Sequence, residues 1–345
     1  MEFPKVVITS ELLRPPLFER DVHAVECRQD PLTGVPCRIN VRRAKRHKER
    51  AAKFDVSEIA GNPQDCPFCL QNIEQATPLF AVGLCPEGRI KRGECYLFPN
   101  LFPLAEYHAA ATLTSRHFLD LDQFRVEMVI DNMIATRQYL AAVYHRNKEA
   151  RYPIYLWNHL SPSAASMIHP HTQILVDRRP TPYQQSLLES SREYFAKTGS
   201  SFWQDIVKEE KRRGERYIGE KNSVAVVASY APQGNREIQI IFRETSNLVE
   251  LSEPEIADFA CCLVKLLRGY NQMGVNSFNL STFSAPLGER LDYYSLHAKL
   301  ISRPVLQPFY RNDTGILERF HHEADIEVRP EGVAETMRVF FEDKV

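Results

Sequence analysis

The run Ile168-His169-Pro170-His171-Thr172-Gln173 constrains the fold more than any other in the chain. In a β-strand alternate residues share a face, so His169, His171 and Gln173 would align three polar side chains. Ile174, Leu175 and Val176 continue the run with β-favouring residues. A second β-favouring run, Ile154–Trp157, precedes it, and Ser161-Pro162-Ser163 between the two reads as a loop. The expectation is strand, loop, strand, with Asn158 and Ser166 as uncharged hydrogen-bonding groups flanking the loop. Neutral imidazole is a competent nucleophile near pH 7, and a phosphoryl or nucleotidyl centre is the electrophile it attacks most usefully.

Basic groups must then hold the phosphates. Lys plus Arg number 43 and Asp plus Glu 44, a formal net charge of −1, so no bulk field draws in nucleic acid or a membrane surface. Phosphate binding has to be local. Arg43 and Arg46, in the basic tip that follows a turn at Pro31–Gly34 and a short strand at Val35–Val41, supply forked guanidinium donors. The longest apolar stretches, such as Ile154–Trp157 and Val224–Ala228, fall far short of the roughly 18 residues of a membrane span. The N-terminus shows no basic segment followed by an apolar one, so a cytoplasmic location is expected.

Cys66-Pro67-Phe68-Cys69 is a C-x-x-C whose thiolates can chelate one ion, or form a redox pair. Eight cysteines in 345 residues are too sparse for a disulfide scaffold. A metal needs two further ligands, and no second C-x-x-C follows. The candidates in this half are His108, His117, His145, His159, His169 and His171. A Cys2His2 set would be closed and structural.

Leu121, Phe124, Met128, Ala135, Tyr139 and Ala142 recur at steps of three, four and seven, which predicts a helix from Leu119 to about Tyr144. Residues 177–222 are helical and charge-rich. Val224–Ser229 and Glu237–Phe242 read as paired strands around Pro232–Asn235, and Ser252-Glu253-Pro254-Glu255 is a capping box opening a helix to about Gln272. Strands near Phe278–Phe283 and His297–Ser302 close the pattern. With 43% hydrophobic and 25% charged residues, the chain is globular and long enough for two domains. Each half runs strands, helix, strands, which suggests two α+β units of similar plan.

Asp30-Pro31-Leu32-Thr33-Gly34, Arg43-Ala44-Lys45-Arg46, Cys66-x-x-Cys69, Phe98-Pro99-Asn100, Arg116-His117, Asn158 and His169-Pro170-His171-x-Gln173, in this order, resemble galactose-1-phosphate uridylyltransferase, of the histidine-triad superfamily. The resemblance is strong over about residues 30–180 and weak beyond. It implies two triad-like domains, about 1–180 and 190–345, each an antiparallel sheet with packed helices, and a homodimer whose sites are completed across the interface. It implies that His171 is the nucleophile, that Gln173 donates to a phosphoryl oxygen and favours transfer over hydrolysis, and that Ser166 contacts the departing phosphate. Arg43 and Arg46 would neutralise the diphosphate, with Asn100 and Asn158 placing the nucleotide. One structural Zn2+ would be held by Cys66, Cys69, His117 and His169.

The implied activity is exchange of hexose 1-phosphates on a nucleoside-diphosphate sugar, as in galactose metabolism, by a ping-pong route through a nucleotidyl-histidine. Two other readings stay open: a nucleoside-diphosphate-sugar phosphorylase or adenylyltransferase using inorganic phosphate, and a zinc-stabilised nucleotide-binding protein without turnover. The second half departs from the family. Lys299 replaces the second histidine of an H-x-H strand beginning at His297, and Leu187 stands where a glutamate ligand would fall, so no second metal is expected. Leu101 follows Asn100 where many members have aspartate, Leu160–Ala165 is bulkier than the family's glycine-rich loop, and the stretch from Arg311 to Asp325 reads differently.

Overall fold

The computed structural model describes residues 1–44, 60–306 and 312–342. Arg46 and Arg311 lie outside them. The N-terminal strands β1 (Lys5–Arg14), β2 (Glu19–Gln29) and β3 (Pro36–Ile39) form a small sheet with β14 (Ala324–Ile326), which runs parallel to β3. No sequence pattern noted above announces the long β1–β2 hairpin. All ten residues of β1 are exposed, Val6, Val7, Ile8, Leu12 and Leu13 among them.

Ten further strands make one antiparallel sheet. In spatial order they are β4 (Ile90–Arg92), β5 (Cys95–Pro99), β6 (Tyr107–Thr112), β8 (His171–Asp177), β7 (Tyr152–His159), β12 (Phe278–Phe283), β13 (His297–Ser302), β11 (Ile238–Phe242), β10 (Val224–Ala228) and β9 (Tyr217–Lys221). The order is a palindrome. In each half three successive strands lie side by side, the fifth joins the third, and the fourth sits at the seam. There β7 and β12 pair with Asn158 opposite Asn279 and Leu156 opposite Ser281.

A short turn, α1 (Ile73–Ala76), follows the C-x-x-C. Helix α2 (Val126–Arg146) connects β6 to β7. Helices α3 (Pro182–Thr198) and α4 (Phe202–Arg213) link the halves. Helix α5 (Glu253–Gln272) connects β11 to β12 as α2 does in the first half, and the chain ends with α6 (Ile316–Phe320) and α7 (Pro330–Glu342). Helices α2 and α5 pack together, and one apolar core runs beneath both halves. The halves therefore share a sheet and a core.

The strand patterns explain this arrangement. Along β7, Pro153, Tyr155, Trp157 and His159 are buried while Ile154, Leu156 and Asn158 are partly open, as expected of a strand with one covered face. β10 is buried throughout, and α4, α5 and α7 all contact it. Ser252 caps α5 as expected, with Glu255 accepting the Ser252 N–H at 2.9 Å. Helix α2 begins at Val126, later than expected. Leu121–Gln123 is a separate 3-10 turn, yet Leu121 and Phe124 still enter the core, so a burial pattern outlasted the helix it suggested. Among the described residues no helix is long and apolar enough to cross a membrane.

Candidate active site and metal centre

The strand expected through His169 begins only at His171. Ahead of it the chain bends, and His169 turns away toward the C-x-x-C. Cys66, Cys69, His117 and His169 converge, with their ligand atoms all within 4.8 Å of one another. Cys69 Sγ lies 3.4 Å from His117 Nδ1 and 3.6 Å from His169 Nδ1, and Cys66 Sγ lies 3.8 Å from His169 Nδ1. A tetrahedral zinc with ordinary bond lengths would separate sulfur and nitrogen ligands by about 3.6 Å. The tautomers fit as well. His117 Nε2–H donates to the Ala60 carbonyl (2.7 Å) and His169 Nε2–H to that of Thr114 (2.9 Å), so both Nδ1 lone pairs face the thiols. Burial and the neighbouring Cys66 push the Cys69 thiol up to about 12, so a cation is needed before both sulfurs ionise. The set is compatible with a closed structural zinc site.

His169 also governs its neighbour. Its backbone carbonyl accepts from His171 Nδ1–H at 2.8 Å, which leaves the His171 lone pair on Nε2. Burial lowers the His171 pKa, keeping the ring neutral. One residue thus places its side chain in the Cys2His2 cluster and its backbone on the adjacent imidazole.

Gln173 and Asn158, both partly open, share a sheet face with the buried His171. The Leu104 N–H donates to His108 Nδ1 (3.0 Å), so His108 carries its proton on Nε2 and donates to Gln173 Oε1 at 2.9 Å. Asn100 Nδ2 donates to the same oxygen at 3.4 Å. With Oε1 occupied, Gln173 offers its NH2. Asn158 is held similarly: its Oδ1 accepts from Asn279 Nδ2 at 2.7 Å, and its own NH2 has no partner among the described residues. Two amide donors and no free amide acceptor therefore lie on the face of a neutral imidazole. Sequence reasoning offered His108 only as a possible metal ligand. Its alternation with Ala110 and Thr112, which pair with Gln173 and His171 across the ladder, was the available signal.

Ser166 is exposed in the loop before His169. Arg43 pairs with Asp325 of β14 at 2.6 Å, on the small sheet. His145 is exposed on α2, and His159 is buried with its ring 5.2 Å from that of Phe278, burial lowering its pKa to about 3.

No protein-family model matches the chain. An uncharacterised protein of Archaeoglobus fulgidus is 31% identical to it over 344 residues, 98% of each chain. The chain belongs to that protein's family. Among solved structures, an ADP-glucose phosphorylase of Arabidopsis thaliana, crystallised with ADP-glucose, matches 93% of this chain and all of its own at a TM-score of 0.72 and 20% identity. A GalT-like protein of the same plant gives 0.70 and 19% over 90% of this chain and 98% of its own. A uridylyltransferase gives 0.67 and 19% over 92% and 98%. The chain has the galactose-1-phosphate uridylyltransferase fold, with its two triad-like units in α+β arrangement.

That duplicated fold allows the two halves to be matched residue by residue. His297 heads β13 as His171 heads β8, and its Nδ1–H donates to the Ser295 carbonyl at 3.0 Å, again two residues back. The ladders then equate Thr112 with Ile241, Gln173 with Lys299, and His108 with Glu237 just before β11. Where the first half joins His108 to Gln173, the second pairs Glu237 with Lys299 at 3.1 Å, and Tyr183 Oη accepts from Lys299 at 2.9 Å. Burial opposes the Lys299 charge, but Glu237, Tyr183 and Asp30 raise its pKa above the ordinary lysine value. Trp203 of α4 stacks on the His297 ring at 3.9 Å and Leu187 packs nearby. The second face is filled.

Proposed function

We propose that the chain is a nucleotidyltransferase that works through a covalent nucleotidyl-imidazole on His171. The supporting observation is the tautomer lock: His171 Nδ1–H is tied to the His169 carbonyl, and the free Nε2 shares a sheet face with the NH2 groups of Gln173 and Asn158. In the first half-reaction Nε2 attacks the α-phosphorus of a nucleoside-diphosphate sugar. The bond from that phosphorus to the bridging oxygen breaks, and the sugar 1-phosphate leaves. The imidazolium charge that forms is shared with the His169 carbonyl. Gln173 and Asn158 donate to the phosphoryl oxygens as their charge grows, and Ser166 meets the departing phosphate. In the second half-reaction an oxygen of an acceptor phosphate attacks the same phosphorus and the P–N bond breaks. Hexose 1-phosphate as acceptor makes the enzyme a transferase, and inorganic phosphate makes it a phosphorylase.

Zinc held by Cys66, Cys69, His117 and His169 would supply a rigid tetrahedral anchor. The residues do the rest, since fixing His169 fixes the carbonyl that orients His171. One tightly held zinc per chain is expected, lost on Cys66→Ser or Cys69→Ser. A Cys66–Cys69 disulfide in the purified protein would overturn the metal reading.

Arg43 pairs with Asp325 of the small sheet, and the edge strand β1 lies bare with five apolar residues. Both fit a homodimer in which Arg43 and Arg46 clamp the diphosphate across the interface. The deciding experiment is incubation with labelled UDP-glucose, ADP-glucose and GDP-sugars, followed by a search for base-stable, acid-labile label on the protein. Label on His171 from one of them supports the reading. Label that persists in His171→Gly, or none with any donor, refutes it.

A further inference from the structure

The donor face of Asn158 is set from the other half of the molecule. A carboxamide can present either its oxygen or its NH2, and at a phosphoryl site only the NH2 stabilises charge. Asn158 lies on β7 at the seam, directly opposite Asn279 of β12. Asn279 Nδ2 donates to Asn158 Oδ1 at 2.7 Å and to the Ser163 carbonyl at 2.9 Å. Asn279 is itself a carboxamide, so something must settle its own polarity. The Ser163 carbonyl holds the NH2 end, and Arg303, just after β13, holds the oxygen end: its Nη1 donates to Asn279 Oδ1 at 3.2 Å. A guanidinium has donors and no acceptor, so direction is fixed at this end without any choice of tautomer. Arg303 is anchored in turn by Asp313 at 2.6 Å and by Thr314 Oγ1 at 3.3 Å.

We propose that Arg303 is a positioning residue whose one-way hydrogen bond to Asn279 turns the NH2 of Asn158 toward the phosphoryl group transferred at His171. The chain Arg303, Asn279, Asn158 crosses the seam, so the C-terminal half tunes chemistry performed in the first. The proposal rests on the nucleotidyl-transfer reading given above.

Two measurements test it. The first follows single-turnover labelling of His171 by the accepted nucleotide sugar. Arg303→Met combined with Asp313→Asn, which avoids an unpaired carboxylate, is expected to slow labelling about 10- to 100-fold, less than the roughly 10²- to 10³-fold of deleting such a donor outright. Half-saturation should change less than about threefold, and Arg303→Lys should recover most of the rate. In an Asn158→Ala background the same double change should cost less than about twofold. Multiplicative losses would mean that Arg303 acts on substrate itself and overturn the proposal, as would a wild-type rate in the Arg303 variant. The second measurement needs no turnover. With 15N-asparagine labelling, the Asn279 side-chain amide protons should exchange slowly in the wild type and rapidly in Arg303→Met. Unchanged exchange would overturn the relay whatever the chain's substrate, whereas intact slow exchange in a wild type that never labels would fault the nucleotidyl-transfer reading alone.

Discussion

The two halves of the sheet place the same kind of residue at the same ladder positions and end in opposite states. In the first half His171 keeps a free Nε2, and a neutral pair, His108 with Gln173, leaves an NH2 exposed. In the second, His297 lies under Trp203, and the matching position holds the buried pair Glu237 with Lys299. An ion pair consumes both partners, whereas a hydrogen bond between neutral groups leaves a donor over. A sheet position can therefore serve chemistry or stability depending on whether its pair is charged and whether a helix covers it. The linking helices α3 and α4 carry out that covering, with Leu187 and Trp203.

The comparison breaks most severely at the nucleophile. His171→Gly should cut nucleotidyl labelling at least about 10⁴-fold, as loss of a nucleophile does elsewhere, while His297→Phe should label within a few-fold of wild type. Equal losses would mean that the halves are not specialised. Next is the ion pair: Glu237→Gln strands a buried ammonium and should lower unfolding stability by about 3–5 kcal/mol, read from the urea midpoint, with the labelling rate of the remaining folded protein unchanged. Removing the neutral pair should do the reverse. His108→Phe is expected to slow labelling about 10- to 100-fold with a shift in urea midpoint worth no more than about 1–2 kcal/mol. In a Gln173→Ala background that rate loss should vanish.

Acid separates the halves more gently. Burial depresses the His297 pKa to about 3, so below the ordinary value near 6.5 the unfolded chain binds a proton that the folded chain refuses. Stability is whole above pH 6.5 and falls as pH drops toward 3. His159 follows the same rule. Between pH 7 and 5, His297→Phe should remove roughly 2 kcal/mol of that decline, measured as the change in urea midpoint. The smallest effect belongs to the loop before His169. Ala164 is exposed with φ of 67°, a left-handed conformation that glycine adopts without strain, so Ala164→Gly should stabilise by about 1 kcal/mol. A loss instead would show that the loop carries no strain.

Much of this was legible in the sequence because each signal was local. β-favouring runs announced β7 and β8, the Ser252 capping box fixed the start of α5, and C-x-x-C spacing pointed to a cluster. What escaped had a non-local cause. Alternation puts His169 in the strand of His171, but its pull toward Cys66 and Cys69, about 100 residues earlier, bends it out. His108 carried no motif of its own, and its role depends on the ladder pairing β6 with β8. Arg43 read as a phosphate clamp, and nothing near it in sequence announces Asp325. The β1–β2 hairpin was missed because exposed strands lack the apolar alternation that betrays a buried face.

The seam between β7 and β12 has a consequence for the ribosome. When the first half has been made, β7 presents a bare strand edge, and the strand that covers it lies roughly 120 residues further on. At usual translation speeds that interval is on the order of ten seconds. During it the nascent chain holds an apolar, unpaired edge, the feature most prone to pairing with a neighbour. Synthesis rate and chaperone supply, rather than final stability, should therefore set how much of this protein reaches its native state in a cell.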